Sequence, residues 1–187
     1  MKKALPAIAV VVFTGILFSA WYVNGYNRVV RLQEDVQKAW AQVDTQLKRR
    51  YDLIPNLVET VKGYAAHEKE IFENLAEARR GYFTAGTIED KTRAATRVEG
   101  FLSRLLAFRE AYPELKANES FLKLQDTLEG TENRISVERK RYNDAVREYN
   151  AYIKSYFGRF FASRTGATEA SYFEVAETEK EAPRVKF

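Results

Sequence analysis

The stretch Ala39–Glu68, AWAQVDTQLKRRYDLIPNLVETVKGYAAHE, decides the fold. Apolar side chains recur at Val36, Trp40, Val43, Leu47, Tyr51, Ile54, Val58 and Val61. Steps of three and four set them in one stripe along a helix, close to the 3.5-residue period of a coiled-coil seam. Gln42, Asp44, Gln46, Lys48, Arg49 and Glu59 fall off the stripe, so one face is dry and the other wet. Pro55 lies inside the pattern, where a proline removes a hydrogen bond and clashes one turn back at a cost of about 3 kcal/mol. The spacing does not slip across it, whereas a reversing loop usually resets the phase. The reading is therefore a bend in one helix. Trp40 lies on the stripe and is read as core, with contact to a partner as the alternative. Lys48, Arg49 and Arg50 read as a solvated basic face, or as a contact for an acidic partner or lipid headgroup. Together with Pro55, these are the candidate interaction residues.

Upstream, Ala4 to Val23 is an uncharged apolar run. At 1.5 Å per residue, about 20 residues of helix cross a hydrocarbon core of roughly 30 Å. Lys2 and Lys3 precede it, and Trp21 and Tyr22 sit near its end, where aromatic rings favour the headgroup layer. A cleaved signal peptide shares the basic start and apolar middle, but the best processing site, ending at Ala20, has Phe18 where a small residue is needed. The run reads as a retained anchor. Basic residues at its two ends favour the amino terminus inside by a small margin, placing the bulk of the chain outside the cytoplasm. Asn24 and Gly25 are positioned to loosen the chain before a helix from Tyr26 to Arg50.

Downstream, a second helical stretch is expected to continue from the Pro55 segment through Ile71 and Leu75 to Arg80. The segment Gly81 to Thr87 reads as the clearest turn, with Thr87 starting a helix and Asp90 three residues on as a shortened capping box. Gly81 and Gly86 have phosphate-loop spacing, but Thr87 stands where the phosphate-gripping lysine is required. The next helix spans Ile88 to Ala111, with Val98, Leu102, Leu105, Leu106 and Phe108 inward, and Tyr112-Pro113 ends it. From Ser120, a heptad pattern runs through Phe121, Leu124, Leu128, Thr131, Ile135, Glu138, Tyr142, Ala145, Tyr149, Tyr152 and Tyr156. Tyr142-Asn143 and Tyr149-Asn150 repeat one heptad apart, and the asparagines are read as polar residues that fix helix register. Tyr156 to Arg164 is short, aromatic and basic. Phe157, Phe160 and Phe161 supply apolar area, and Arg159 and Arg164 can reach phosphates, a combination suited either to a bilayer surface or to capping the bundle core.

The sequence has 187 residues, enough for one core without disulfides, and no cysteine. Removing Lys2 and Lys3 leaves 28 basic and 26 acidic residues, interspersed, so no phosphate-tracking stripe exists and nucleic acid is not an expected partner. His67 is the single histidine, and Ile71 occupies the place a second zinc ligand would need. No serine lies in a nucleophile-elbow motif, and Glu68 and Glu70 read as solvated. No catalytic residue, metal or cofactor is expected.

Several blocks carry a resemblance: Tyr26-Asn27, the opening stretch, Tyr112 to Phe121, Leu124-Gln125, Thr131 to Ile135, Arg141 to Asn143, Tyr149-Asn150 and Tyr172 to Glu174. In this order they resemble the LemA family of bacterial membrane-anchored helical proteins. The resemblance implies an all-α, single-pass protein of the bacterial cytoplasmic membrane without established enzymatic activity. Some members are associated with membrane organelles, and family genes occur near those of membrane proteases. Gly158 departs from the pattern, since relatives usually carry proline after the aromatic residue that ends the long helix.

The expected architecture is an antiparallel helical bundle of long coiled-coil-like helices preceded by one transmembrane helix: an anchor over 1–23, a bundle over 24–164, and a partly disordered tail over 165–187. Two functional classes follow. One is a membrane-anchored homo-oligomeric scaffold, because the heptads supply more seam than so few helices cover. The other is an accessory or substrate-presenting subunit for another membrane protein such as a protease.

Overall fold

A computed structural model describes residues 4–65 and 67–173, with side chains from residue 9 onward. Those residues form helices and connecting segments without strands: α1 (Ala4–Lys62), α2 (Lys69–Thr84), α3 (Ile88–Ala111), α4 (Pro113–Lys116), α5 (Glu119–Lys154) and α6 (Tyr156–Thr165). The described residues pack as two units, one of residues up to 38 with 144–170 and the other of residues 39–143 with 171–173.

In the unit of residues 39–143 and 171–173, α1, α2, α3 and α5 alternate in direction. Tyr51 of α1 meets Tyr82 of α2, and Lys62 meets Phe72, so these two helices run antiparallel. Glu99 and Arg109 of α3 face Arg139 and Gln125 of α5 in the same antiparallel sense. Trp40 meets Tyr142 while Arg50 meets Glu132, which closes α1 against α5. An up-and-down bundle results.

Trp40, Val43, Leu47, Tyr51, Ile54 and Val61 are buried as the stripe requires. Leu57, however, is buried and Val58 only half so. Leu57 lies two turns beyond Arg50, on the side that faces α5, and Val58 lines a groove beside α2 instead. A helix with neighbours on two sides buries a wider arc than one seam.

The helix runs through Pro55 without a break. Residue 55 has no N–H to give the Tyr51 carbonyl, and the Arg79 Nε–H from α2 donates to that oxygen at 3.0 Å. The helical bond lost to proline is thus replaced by a tertiary one.

The stretch beyond Pro55 does not continue to Arg80. α1 stops at Lys62, the N–H groups of Tyr64 and Ala65 both donate to the Val61 carbonyl at 2.9 Å, and the chain reverses before α2. Nor does α2 end near Gly81. It reaches Thr84, because Tyr82 is fully buried against Tyr51 and its packing outweighs the cost of about 1 kcal/mol for a helical glycine.

Thr87 caps α3 as expected, its side chain accepting from the Asp90 N–H at 3.1 Å. Val98, Leu102 and Leu105 are buried, and Leu106 and Phe108 half-buried. Pro113 opens the single turn α4, where pre-set φ suits a first helical position. Asn118 then accepts from the Phe121 N–H at 2.9 Å and starts α5, while its amide donates to the Tyr64 hydroxyl.

Tyr142 and Asn143 hold Ser171 and Phe173 in this unit. The Tyr142 hydroxyl donates to the Ser171 carbonyl at 2.8 Å. The Asn143 amide donates to the Phe173 carbonyl at 3.1 Å and accepts from its N–H at 2.8 Å, with the Phe173 ring against Trp40.

In the unit of residues up to 38 and 144–170, α1 is apolar and exposed all round from Val10 to Ala20, then buries Val29, Leu32 and Val36 on one side. The Thr14 hydroxyl donates to the Val10 carbonyl at 2.6 Å, which satisfies it within the helix. Asn24 and Gly25 do not loosen the chain. They lie within α1, and Gly25 is where Phe161 of α6 approaches, since a Cβ there would fall 2.1 Å from that ring.

From the same side of the unit, α5 contributes Val146, Tyr149, Asn150 and Ile153 as buried residues. It ends at Lys154, not at Tyr156, which stands 88% exposed in the first turn of α6. Ser155 caps α6 by accepting from the Gly158 N–H at 3.1 Å. The Gly158 departure has its cause here, because a Cβ would lie 1.8 Å from the Tyr152 carbonyl oxygen.

The second Tyr-Asn pair repeats the contact of the first. Tyr149 donates to the Thr168 carbonyl at 2.8 Å, and Asn150 exchanges two hydrogen bonds of 2.9 Å with Ala170. Both asparagines therefore bind extended main chain rather than set the register between helices.

Candidate functional site

The aromatic and basic residues singled out near the anchor converge in one place. Trp21 of α1 lies edge-on to Phe157 at 5.9 Å, stacks on Phe160 at 6.3 Å and tilts against Phe161 at 5.0 Å. Tyr22 meets Phe160 and Phe161 edge-on. Such pairs add about 0.5–1.5 kcal/mol each beyond the area they bury.

The three phenylalanines do not share one role. Phe161 is buried on Gly25 and docks α6 to α1, so its ring is not part of any outward apolar surface. Phe157 and Phe160 stay 59% and 41% exposed. Arg164 lies over the Phe160 ring at 5.5 Å, and the Arg159 guanidinium reaches only the Lys154 carbonyl at 3.4 Å. Neither arginine is ion-paired among the described residues. Nearby, Arg28 lies 4.6 Å over the Tyr152 ring, whose hydroxyl donates to the Gly25 carbonyl.

The candidate interaction residues fall elsewhere, in the other unit, and do not form one patch. Trp40 is core, packed edge-on to Tyr142 at 5.4 Å. Arg50 is not on a solvated face: it is buried and paired with Glu132 at 2.5 Å. Position 50 turns away from Lys48 and Arg49 by its place on the helix, toward α5. Lys48 pairs with Asp44 at 2.6 Å, and Arg49 is exposed. Pro55 is exposed and, with Ile54, Val58 and Phe72, lines a groove of about 720 Å³ between α1 and α2.

Asp44 joins Lys48 to Tyr82 and Lys91, at 2.7 Å from the hydroxyl and 2.9 Å from the amine. Burial would push this carboxyl up, but the hydrogen bonds from Lys48, Tyr82 and Lys91 outweigh it and hold it at about 2, below the ordinary 3.8. The same arrangement raises Tyr82, through burial and then through the Asp44 hydrogen bond. These groups form a structural knot that ties α1 to Tyr82 and Lys91. His67 is exposed in the turn after α1, and among the described residues no cluster of His, Asp and Glu has the makings of a metal site.

One helix among the described residues is long and apolar enough to cross a membrane, and it is α1. A profile of the LemA family matches residues 39–187, most of the chain. The chain belongs to the LemA family. This family is not one of known enzymes.

Among individual relatives, magnetosome protein MamQ 2 of Paramagnetospirillum magneticum is 26% identical over 189 residues, covering 87% of this chain and 70% of its own. Magnetosome protein MamQ of Magnetospirillum gryphiswaldense is 25% identical over 192 residues, 89% and 71% respectively. Protein LemA of Metamycoplasma hominis is 22% identical over 190 residues, covering 96% of this chain and 86% of its own.

In this LemA-family chain, two features escaped the sequence. Arg79 carries no signal, since its role depends on which carbonyl Pro55 leaves open. The Tyr-Asn repeat is visible, but a heptad spacing alone cannot say whether an asparagine faces a helix or an extended chain. A helix advances about 10.5 Å in seven residues and an extended chain about 10 Å in three, so identical pairs on α5 match residues three apart in a strand-like partner.

Proposed function

We propose that this protein is a non-enzymatic helical scaffold, held in the bacterial cytoplasmic membrane by one span, that self-associates to organise or shape the bilayer. The observation that carries the reading is the continuity of α1 at Asn24–Gly25. The exposed apolar stretch passes into the one-sided stripe of Val29, Leu32 and Val36 within one helix, and Phe161 lies over the glycine that would otherwise give it freedom. A stiff junction transmits the tilt of a span to the part of the chain outside it, which suits a scaffold better than an adaptor swinging on a linker. Two relatives named for the magnetosome support a membrane-organising role.

Most stripe residues are buried among the described residues, with Val58 and Tyr156 among the exceptions, and the exposed apolar span is the surface we assign to self-association. There Gly15 and Ser19, four residues apart and exposed, let a second helix approach closely; no atom lies within 4 Å of a Cβ built at Gly15. Alkaline extraction of membranes, followed by light scattering of the purified full chain in detergent, tests the proposal. Retention in the membrane and a multiple of the 21.6 kDa chain mass are expected. A monomer at all micromolar concentrations rules out the self-association.

A second reading, an accessory subunit that presents or receives another membrane protein, is favoured by the groove beside Pro55, an open groove whose lining includes exposed Pro55 and half-buried Val58 above the buried Ile54 and Phe72. Crosslinking from position 58 to another protein, in a chain that is monomeric, would support it over the scaffold.

A further inference from the structure

The residues of α6 divide cleanly by direction. Gly158, Phe161 and Ala162 face inward, and Tyr156, Phe157, Phe160, Arg159 and Arg164 face outward. With 3.6 residues per turn, Tyr156, Phe157 and Phe160 form one strip, with Arg159 on its flank and Arg164 at its far end. Among the described residues the strip stays exposed, Tyr156 at 88% and Phe157 and Phe160 at 59% and 41%. Its depth is set by Trp21, because Phe157 and Phe160 both touch that ring. Trp21 closes the apolar run of α1, so when the run spans a bilayer, Trp21 lies in the headgroup layer and α6 lies beside it.

We propose that the outward face of α6 is a second lipid contact, with Tyr156, Phe157 and Phe160 entering the interface and Arg159 and Arg164 binding the phosphates of anionic lipids. This rests on the membrane-anchor reading of α1. Charge selects the occupant. A second copy of the chain laid on this face by two-fold symmetry would bring two arginines against the same two arginines, whereas an anionic headgroup layer neutralises them. The arginines also lack carboxylate partners among the described residues, and Lys154, the last residue of α5, already pairs with Glu169 at 2.7 Å. An amphipathic helix with aromatic rings on one face and arginines beside them has the make-up of an interfacial segment. The division of labour among the rings is the new element. Phe161 docks the helix to Gly25, and docking aims the other two outward.

The natural absence of cysteine allows a single label without background. Full-length chain carrying Phe160→Cys or Asp90→Cys, labelled with a fluorophore, is reconstituted in phosphatidylcholine vesicles with or without phosphatidylglycerol and with a headgroup-level quencher on the lipid. Quenching at position 160 is expected to exceed that at position 90 by about threefold or more, and to rise with phosphatidylglycerol. Arg159→Glu with Arg164→Glu, both at exposed positions, should remove the dependence on phosphatidylglycerol while the chain still resists alkaline extraction. Equal quenching at 160 and 90 in an extraction-resistant chain overturns the second contact and leaves the anchor reading standing. A chain released by alkali overturns the anchor reading, and the second contact with it. Self-quenching between labels at 160 on two copies, without quenching by lipid, also overturns the proposal in favour of a contact between copies.

Discussion

Asn143 and Phe173 exchange two hydrogen bonds, the side-chain amide donating to the carbonyl at 3.1 Å and accepting from the N–H at 2.8 Å. The pairing is that of neighbouring strands, made by one side chain in place of a second backbone. Asn143→Ala removes both bonds and leaves a near-buried peptide unpaired, a loss of about 1–3 kcal/mol. Hydrogen exchange at the Phe173 amide should accelerate by one to two orders of magnitude, roughly as that loss requires. Asn143→Asp keeps the acceptor and should retain most of the protection at that amide. Unchanged exchange in the alanine variant would remove the clamp from the account.

Gly25 and Gly15 lie in the same helix and should respond oppositely to the same change. At Gly25 a Cβ meets Phe161 at 2.1 Å, while at Gly15 nothing lies within 4 Å. Gly25→Ala should destabilise by about 1–3 kcal/mol through overpacking, and Gly15→Ala should leave the monomer's stability within about 0.5 kcal/mol or raise it. Adding Phe161→Leu to Gly25→Ala should recover part of the loss. Thermal unfolding in detergent micelles reads all three.

The carboxyl of Asp44, held at about 2 by Lys48, Tyr82 and Lys91, makes stability depend on acid. Its folded value lies below the unfolded one, so the contribution is fully present above about pH 4 and is lost as pH falls toward 2. At full strength it amounts to about 2 kcal/mol. Urea unfolding should show wild type ahead of Asp44→Asn at pH 6, with the lead shrinking at pH 2.5. A lead independent of pH would mean that the three donors stabilise the folded chain without favouring the charged form.

Tyr51 and Tyr82 pack edge to face with ring centres 4.7 Å apart, yet their hydroxyls differ. Tyr82 donates to Asp44 at 2.7 Å, whereas the buried Tyr51 hydroxyl has no hydrogen-bond partner among the described residues. Tyr82→Phe should cost about 1.5–3 kcal/mol, and Tyr51→Phe should be neutral or stabilising by up to about 1 kcal/mol, since it removes a desolvated polar group. Melting temperatures in the reverse order would show that the assignment is wrong.

The all-α class, the extents of α3 and α5 to within two residues, and the burial of Trp40 and Tyr51 were legible because each rests on a period sustained over many residues or on a local cap such as Thr87. The turn after Lys62 was not legible. Gly63 is a weak breaker, and the apolar residues on both sides keep helical spacing. The opposite failure occurred at Gly81, where two glycines and a threonine read as a turn while Tyr82, a residue with no local signal, drew the helix on by packing against Tyr51 and Asp44. At the candidate membrane interface, the composition of Tyr156 to Arg164 disclosed the chemistry but not its directions. Phe157, Phe160 and Phe161 look alike in sequence, and only the absent Cβ of Gly25 distinguishes the ring that docks from the two that do not.

Pro55 leaves the carbonyl of Tyr51 without its helical donor, and Arg79 of α2 supplies one. The turn of α1 at residues 51–55 is therefore completed by another helix, and its persistence is a cooperative property of the α1–α2 hairpin, not an intrinsic property of α1. Both Pro55 and Arg79 line the same open groove. A ligand or protein segment that entered there and drew the guanidinium to itself would take away the bond that replaces the missing one, and α1 would become more pliable at that turn. Occupancy of the groove and stiffness of the helix are in this way thermodynamically linked: what favours one state of the groove must, by the same free energy, favour one state of the helix.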